Sequence, residues 1–251
     1  MKTSVIKTEN LCKTYILGKQ GVNVIKNMDL EIYDGDFTVI MGASGSGKST
    51  LLYSISSMDA PTAGKVTLLG KEITLMKEGA LSKIRAKDIS FIFQSVNLLP
   101  DMTAFENIAY YGYGMMEKKL ANQKTEELLI KFGLKGERNK YPSEMSGGEC
   151  QRVAIARAVI GNPKIIFADE PTGALNSGAS KEVLNLLTEL NSGGQSIVMV
   201  THDIKACARG NRLVYLKDGR IAGDMDLGKY NPAEQADREE VVFKFLKEHN
   251  W

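Results

Sequence analysis

Residues 42–50 read GASGSGKST, preceded at once by the apolar run FTVIM (Phe37 to Met41) and followed by LLYSISSM. The spacing fits G-x-x-x-x-G-K-[ST], with a β-branched run before it and an apolar helical pattern after it. A strand that breaks into a glycine loop and then a helix sets backbone N–H groups at a helix N-terminus, where they can ring a phosphate. The N–H groups of Gly45 to Ser49 are the expected ring. Lys48 can reach terminal phosphate oxygens, and the Ser49 hydroxyl can ligate Mg2+. A flexible Gly/Ser turn is the plain alternative.

A buried strand ending in such a loop calls for neighbours of the same kind, and three more apolar runs answer. ISFIF (Ile89 to Phe93) leads into Gln94, KIIFA (Lys164 to Ala168) into Asp169, and SIVMV (Ser196 to Val200) into His202. Runs of this type alternating with helical patterns predict an α/β fold with a largely parallel sheet. Each polar residue then stands at a strand's carboxyl end, where open α/β sheets place ligands. The first 35 residues differ. Short runs at Ser4 to Cys12, Val22 to Ile25 and Leu30 to Tyr33 predict a small antiparallel sheet. Residues from about 97 to 160 are mostly helical in pattern, notably EKKLANQKTEELLIKFG, and suggest an inserted lobe. LVYLKDGRIAGD predicts a hairpin turning at Asp218-Gly219, and Asn231, Pro232 and Glu234 mark the start of a terminal helix.

The 32 basic and 30 acidic residues give a formal charge of +2, so no bulk field draws the chain to nucleic acid or an acidic membrane. No apolar run reaches the roughly 18 residues that span a bilayer, and MKTSVIKTENLCK lacks a signal peptide's apolar stretch, so a cytoplasmic protein is expected. Cys12, Cys150 and Cys207 form no CxxC pair, which predicts reduced thiols and no zinc site.

KIIFADE supplies two adjacent acids. Asp169 can hold a metal shell and Glu170 can accept a proton from an attacking water, although paired acids after a strand are also common helix starters. His202 can bond a phosphate or hold that water, but a lone His at a strand end is also an ordinary structural residue. A second glycine loop lies in EMSGGECQR (residues 144–152). Ser146 to Glu149 form an S-x-x-E capping box ahead of a helical pattern, and Gly147 and Gly148 leave its N-terminus bare to an anion. A well-capped helix is the plain reading. This loop has no lysine and no metal ligand, so it could bind a phosphate without acting on it.

The order GASGSGKST, FQ, MSGGECQR, IIFADEPTGALN, VTHD resembles the nucleotide-binding subunits of ABC transporters, over about residues 4 to 225. The resemblance implies an α/β fold, with a P-loop NTPase (RecA-like) core, an N-terminal antiparallel β subdomain and an inserted helical lobe. It divides the chain into a core at about 1–96 and 161–225, a signature lobe at about 97–160 and an extension at about 226–251. It implies ATP and Mg2+ as cofactors, with nucleotide contacts from Gly42, Ser44, Gly45, Ser46, Gly47, Lys48, Ser49 and Thr50. Tyr15 matches the aromatic residue that stacks on adenine. Ser49, Gln94 and Asp169 match the metal positions, and Glu170, His202 and Gln94 the catalytic ones. Ser146, Gly147 and Gly148 match a signature loop that closes over ATP held by a second copy. The implied partners are that second copy and an integral membrane permease, with no nucleic acid; membrane contact is through the permease only, at the cytoplasmic face. Val96, Leu98 and Leu99 are expected permease contacts, some of which could pack inside the lobe.

Within the family, MGASGSGKSTLL, LSKIRAKDISFIFQSVNLLP and ADEPTGALN most resemble the branch of macrolide exporters, lipoprotein-release machines, cell-division ATPases and exporters against bacitracin and lantibiotics. The antimicrobial-peptide resistance type is nearest. Three departures stand out: Met145 and Glu149 in place of Leu and Gln, Cys150 in place of Gln or Arg, and Asn176 in place of Asp. A soluble ABC ATPase acting on nucleic acid or ribosomes is an alternative, but the stretch from Lys48 to Ser146 is too short for a long coiled coil and only one cassette is present. A small-molecule kinase would leave the second glycine loop, Gln94 and His202 without a role.

Overall fold

The computed structural model describes residues 2–18, 20–249 and 251. The chain opens with two fourteen-residue strands, β1 (Ser4–Leu17) and β2 (Gln20–Tyr33), paired antiparallel. The sequence predicts shorter runs here, and the structure corrects that. Asn10 and Asn27 both adopt φ of 48°, and the register of β1 on β2 shifts between Thr8 and Leu11 and again by Lys13. Asparagine tolerates the left-handed region, so the chain bulges there and continues as strand instead of turning. With β4 (Ala63–Leu68) and β5 (Lys71–Glu72) these strands form a sheet of order β2-β1-β4-β5.

The second sheet begins with β3 (Phe37–Met41) and includes β6 (Ile89–Ile92), β7 (Ile165–Asp169), β8 (Ser196–Thr201), β9 (Arg212–Lys217) and β10 (Arg220–Asp226). Its order is β10-β9-β3-β8-β7-β6, parallel throughout except for the edge strand β10. Every residue of β3, β7 and β8 is buried, because both faces are covered. Phe37, Val39, Met41, Ile166, Ala168, Ile197 and Met199 join one core, while Ile40, Ile165, Phe167, Val198 and Val200 join the other. The two-residue period of a strand divides them.

One face carries the antiparallel sheet, α1 (Lys48–Ile55) and α2 (Glu78–Lys87). The other receives α3 (Ala104–Tyr113), α4 (Lys118–Lys131), α5 (Gly147–Val159), α6 (Ser177–Ser192), the single turn α7 (Ile204–Cys207) and α8 (Gln235–Glu248). Helix α3 packs on α4 and α5. Helix α2 buries only Ile84, so no apolar stripe announces it in the sequence. The hairpin turns at Asp218-Gly219 with positive φ at both, as expected, and its tip docks on the first glycine loop through a Gly219 N–H to Ser46 carbonyl bond of 3.2 Å. Among the described residues no helix is long and apolar enough to cross a membrane.

Asn231 caps a 3-10 turn (Pro232–Glu234) that runs into α8, as the Asn-Pro signal predicts. From α8 the nearly buried Arg238 donates to the carbonyls of Ala208 (2.9 Å), Leu227 (2.7 Å) and Gly210 (2.5 Å), while Tyr230 covers its guanidinium. The extension is thereby fastened to the segment that follows α7. Arg238→Met should strand those carbonyls and lower unfolding free energy by about 2–4 kcal/mol, measured by chemical denaturation. Arg238→Lys should recover only part, since an ammonium cannot match a planar fork of five N–H donors.

Candidate functional site

Strand β3 lies between β8 and β9, and the loop at its carboxyl end is shaped by close approaches. A Cβ on Gly42 would stand 2.3 Å from the Leu216 carbonyl oxygen. Gly47, the residue before α1, has φ of 101°, and a Cβ there would press on Ile25 and Val24. With glycine in the capping position, α1 has no side-chain cap, and its first N–H groups stay available to a ligand. The Ser46 hydroxyl is buried without a hydrogen-bond partner. Lys48, also buried, donates to the carbonyls of Gly42 (2.9 Å) and Ala43 (3.1 Å) on its own loop. Uncapped N–H groups, an orphaned hydroxyl and a lysine resting on neutral acceptors together fit a polyphosphate. Ser44 and Gly45 form the exposed outer turn of the loop, and Thr50 is half-buried in α1.

Beside this loop, at the end of β7, the buried Asp169 accepts from the Ser49 hydroxyl (2.8 Å) on Oδ1 and from the Tyr53 hydroxyl (2.6 Å) on Oδ2. Burial, and next the bond to Asp169, push the Tyr53 phenol up to about 12, so it stays a donor across the working range. Glu170 takes φ of 47°, a left-handed turn fixed by its N–H to Val200 carbonyl bond (3.0 Å) and by the Gly173 N–H to its own carbonyl (3.0 Å). That turn aims two adjacent carboxylates differently. Asp169 faces α1, while Glu170 meets His202, whose Nδ1 lies 3.0 and 2.9 Å from the two carboxylate oxygens. A carboxylate can only accept, so the ring proton sits on Nδ1. Gln94, exposed after β6, leans on the same loop: a Cβ on Gly173 would stand 2.8 Å from its Nε2. Ser49, Asp169 and Gln94 offer oxygen donors of the kind that suit a hard cation such as Mg2+.

Tyr15 sits at the side of α1. Its hydroxyl donates to Asp59 (2.7 Å), the Lys13 ammonium stands 4.9 Å from its ring centre, and Lys13 donates to Asp59 (2.5 Å) and the Ala60 carbonyl (2.6 Å). Lys13 and Asp59 carry no motif of their own, and only their spacing from Tyr15 in the fold reveals them.

The second glycine loop is a different kind of nest. Ser146 caps α5 by accepting from the Glu149 N–H (3.3 Å), and the Glu149 carboxylate accepts from the Ser146 N–H (2.7 Å) and hydroxyl (2.8 Å). These bonds, the backbone one first, hold the Glu149 carboxyl below its ordinary range. Gly147 and Gly148 lie against Leu175 and Ala179, close to Asn176, which caps α6 through the Ala179 N–H (3.0 Å). Among the described residues, no hydrogen bond or ion pair joins Ser146, Gly147 or Gly148 to Lys48, Ser49, Asp169 or Glu170. Further along α5, Gln151 donates to the Phe93 carbonyl (3.2 Å), and Arg157 to the carbonyls of Asn97 (2.8 Å) and Val96 (3.3 Å). Sequence reading does not single out these braces of the Gln94 segment, nor Tyr53, although Tyr53 stands one helical turn after Ser49.

The family model for the ABC transporter matches residues 25–173. The chain is 43% identical over 222 residues to the lipoprotein-releasing system ATP-binding protein LolD of Aquifex aeolicus, covering 88% of this chain and 97% of that protein. It is 44% identical over 224 residues to the macrolide export ATP-binding/permease protein MacB of Mannheimia succiniciproducens, covering 88% of this chain but 34% of MacB. Among solved structures it is similar to a dimeric, post-hydrolysis state of the ATP-binding cassette MJ0796 bound to ADP and Pi, with a TM-score of 0.82 and 40% identity over 90% of this chain and all of that one. The fold that carries the loop and the acids is thus one already known. The chain is an ATP-binding and ATP-hydrolysing cassette of the ABC transporter family, working with ATP and Mg2+ in the branch that includes macrolide export and lipoprotein release.

Proposed function

We propose that the chain acts as one of two identical subunits that close over two ATP molecules and drive an integral membrane permease, to which it binds peripherally at the cytoplasmic face. The observation that carries this reading is the nest at Ser146. A glycine-led helix N-terminus suits an anion, yet among the described residues this one shares no hydrogen bond or ion pair with the phosphate loop of its own chain. A second copy supplies the missing half, and the dimeric form described for MJ0796 supports the same reading. The names of LolD and MacB favour a permease for lipoprotein release or macrolide export.

In this reading Tyr15 stacks on adenine, the Gly42 to Thr50 loop wraps the phosphates, and Ser146 with the Gly147 and Gly148 backbone meets the γ-phosphate of the partner's ATP. Ser49, Gln94 and Asp169 would hold Mg2+, which would supply positive charge against the phosphate oxygens. Gln94 and His202 orient water against the γ-phosphorus. The water's proton passes to Glu170 as the new P–O bond forms, and the bond to the leaving ADP oxygen breaks. His202 is already shared by both Glu170 oxygens, so one of them can turn to the water without losing it. Leu99 is exposed and its backbone is fixed by Asn107 of α3, while Leu98 packs into the core and Val96 gives its carbonyl to Arg157. Leu99, with exposed Tyr110 and Tyr113 on α3, is accordingly the apolar surface we assign to the permease.

Glu170→Gln should lower ATP turnover by about 10²- to 10⁴-fold with nucleotide binding retained, because only proton acceptance is lost. A normal rate in a steady-state assay would remove Glu170 from that role. Each proposed site takes its phosphate loop from one chain and its signature from the other. Mixing inactive Ser146→Arg with inactive Lys48→Ala should therefore yield heterodimers with one intact site and restore part of the ATPase activity. ATP-dependent dimerisation of Glu170→Gln, read by light scattering, should disappear on adding Ser146→Arg. Persistence of that dimer would reduce the second loop to a helix cap.

A further inference from the structure

Asp169 has two carboxylate oxygens and the protein uses both. Oδ1 accepts from Ser49 (2.8 Å) and Oδ2 from Tyr53 (2.6 Å). Ser49 and Tyr53 are four residues apart on α1, so both hydroxyls leave the same helical face toward the tip of β7. The Tyr53 ring is itself held. It lies tilted at 54° against Phe91 of β6, with ring centres 6.4 Å apart, and Phe91 stacks on Phe167 of β7 at 5.2 Å. The phenol thus approaches Asp169 from a packed aromatic row that bridges the two strands beside the site.

A carboxylate's terminal torsion is broad and roughly two-fold, so one bond to Ser49 alone leaves its plane free to turn. A second donor on the other oxygen fixes that plane. We propose that Tyr53 is a positioning residue for the metal site: its O–H pins Oδ2 of Asp169, so that Oδ1 is presented to the Ser49 hydroxyl and to the shell of the Mg2+ bound there. The proposal rests on the assignment of Ser49 and Asp169 to Mg2+ made above. Mg2+ keeps several waters in near-ideal octahedral geometry, whereas Ca2+ accepts irregular shells, so the pinned carboxylate matters more for Mg2+.

Tyr53→Phe removes the O–H and keeps the ring against Phe91. The test is titration of the full chain with a fluorescent ATP analogue in EDTA, in Mg2+ and in Ca2+, for the unmodified protein, Tyr53→Phe and Asp169→Asn. The readout is the factor by which each metal tightens binding relative to EDTA. In Tyr53→Phe, EDTA binding should match the unmodified protein, the Mg2+ factor should fall about 10-fold, as is usual when a residue supporting a metal ligand is lost, and the Ca2+ factor should fall less. A full Mg2+ factor in Tyr53→Phe, together with its loss in Asp169→Asn, would overturn the role of Tyr53 and leave that of Asp169 standing. Equal weakening in EDTA and in both metals would also overturn it, by showing a packing defect. An unchanged Mg2+ factor in Asp169→Asn would instead overturn the underlying metal assignment, and the role of Tyr53 with it.

Discussion

The uncapped N-terminus of α1 is the constraint on which the site depends. A helix that begins in the middle of a protein normally satisfies its first N–H groups with a side chain, and here none does so. The gap survives because its surroundings hold the loop open from outside. The Leu216 carbonyl sits against Gly42, β2 presses on Gly47 through Val24 and Ile25, and the hairpin tip is bonded to Ser46. Strands far apart in sequence therefore hold open an anion site that α1 alone could not keep. The orphaned Ser46 hydroxyl and the folded-back Lys48 are local signs that the loop is arranged for a charge it must receive from elsewhere.

The second glycine loop solves the same end-of-helix problem in the opposite way. Ser146 and Glu149 satisfy each other, and the Glu149 carboxylate places a negative charge where an anion would dock. In the arrangement proposed above, the partner's γ-phosphate would have to displace that carboxylate from the Ser146 hydroxyl. The residues that depart from the usual pattern fit this local chemistry. Glu149 closes the capping box, Asn176 caps α6 as an aspartate would but without charge, and Cys150 is buried beneath the Pro142 carbonyl.

The second loop is linked instead to the segment that carries Gln94. Gln151 and Arg157 of α5 hold the backbone of Phe93, Val96 and Asn97, so the segment carrying Gln94 is tied to the helix led by Ser146. On the far side, Arg238 ties α8 to the segment after α7, the turn that begins just beyond His202. In the arrangement proposed above, displacement of the permease-facing surface at Leu99 reaches the signature loop through α5 without passing through the phosphate loop.

The sequence by itself determined the elements whose signal is local: the strand before GASGSGKST, the Asp218-Gly219 hairpin, the Asn231-Pro232 cap and the buried strands leading to Asp169 and His202. Each rests on a residue type that tolerates a particular backbone angle or on an unbroken β-branched run, and neither needs a neighbour to be read. Tertiary structure decided whatever depended on distant partners. Asn27 falls between two expected runs, and only pairing between β1 and β2 made it a bulge inside one strand. Helix α2 shows no stripe because it buries a single side chain. The sequence assigns adjacent Asp169 and Glu170 different roles, but it is the bond to the Val200 carbonyl, fixing the left-handed turn at Glu170, that aims them apart. Tyr53 gained its place only when β6 and β7 brought Phe91 and Phe167 beneath it, since a hydrogen bond between α1 and β7 leaves no periodic trace in either segment.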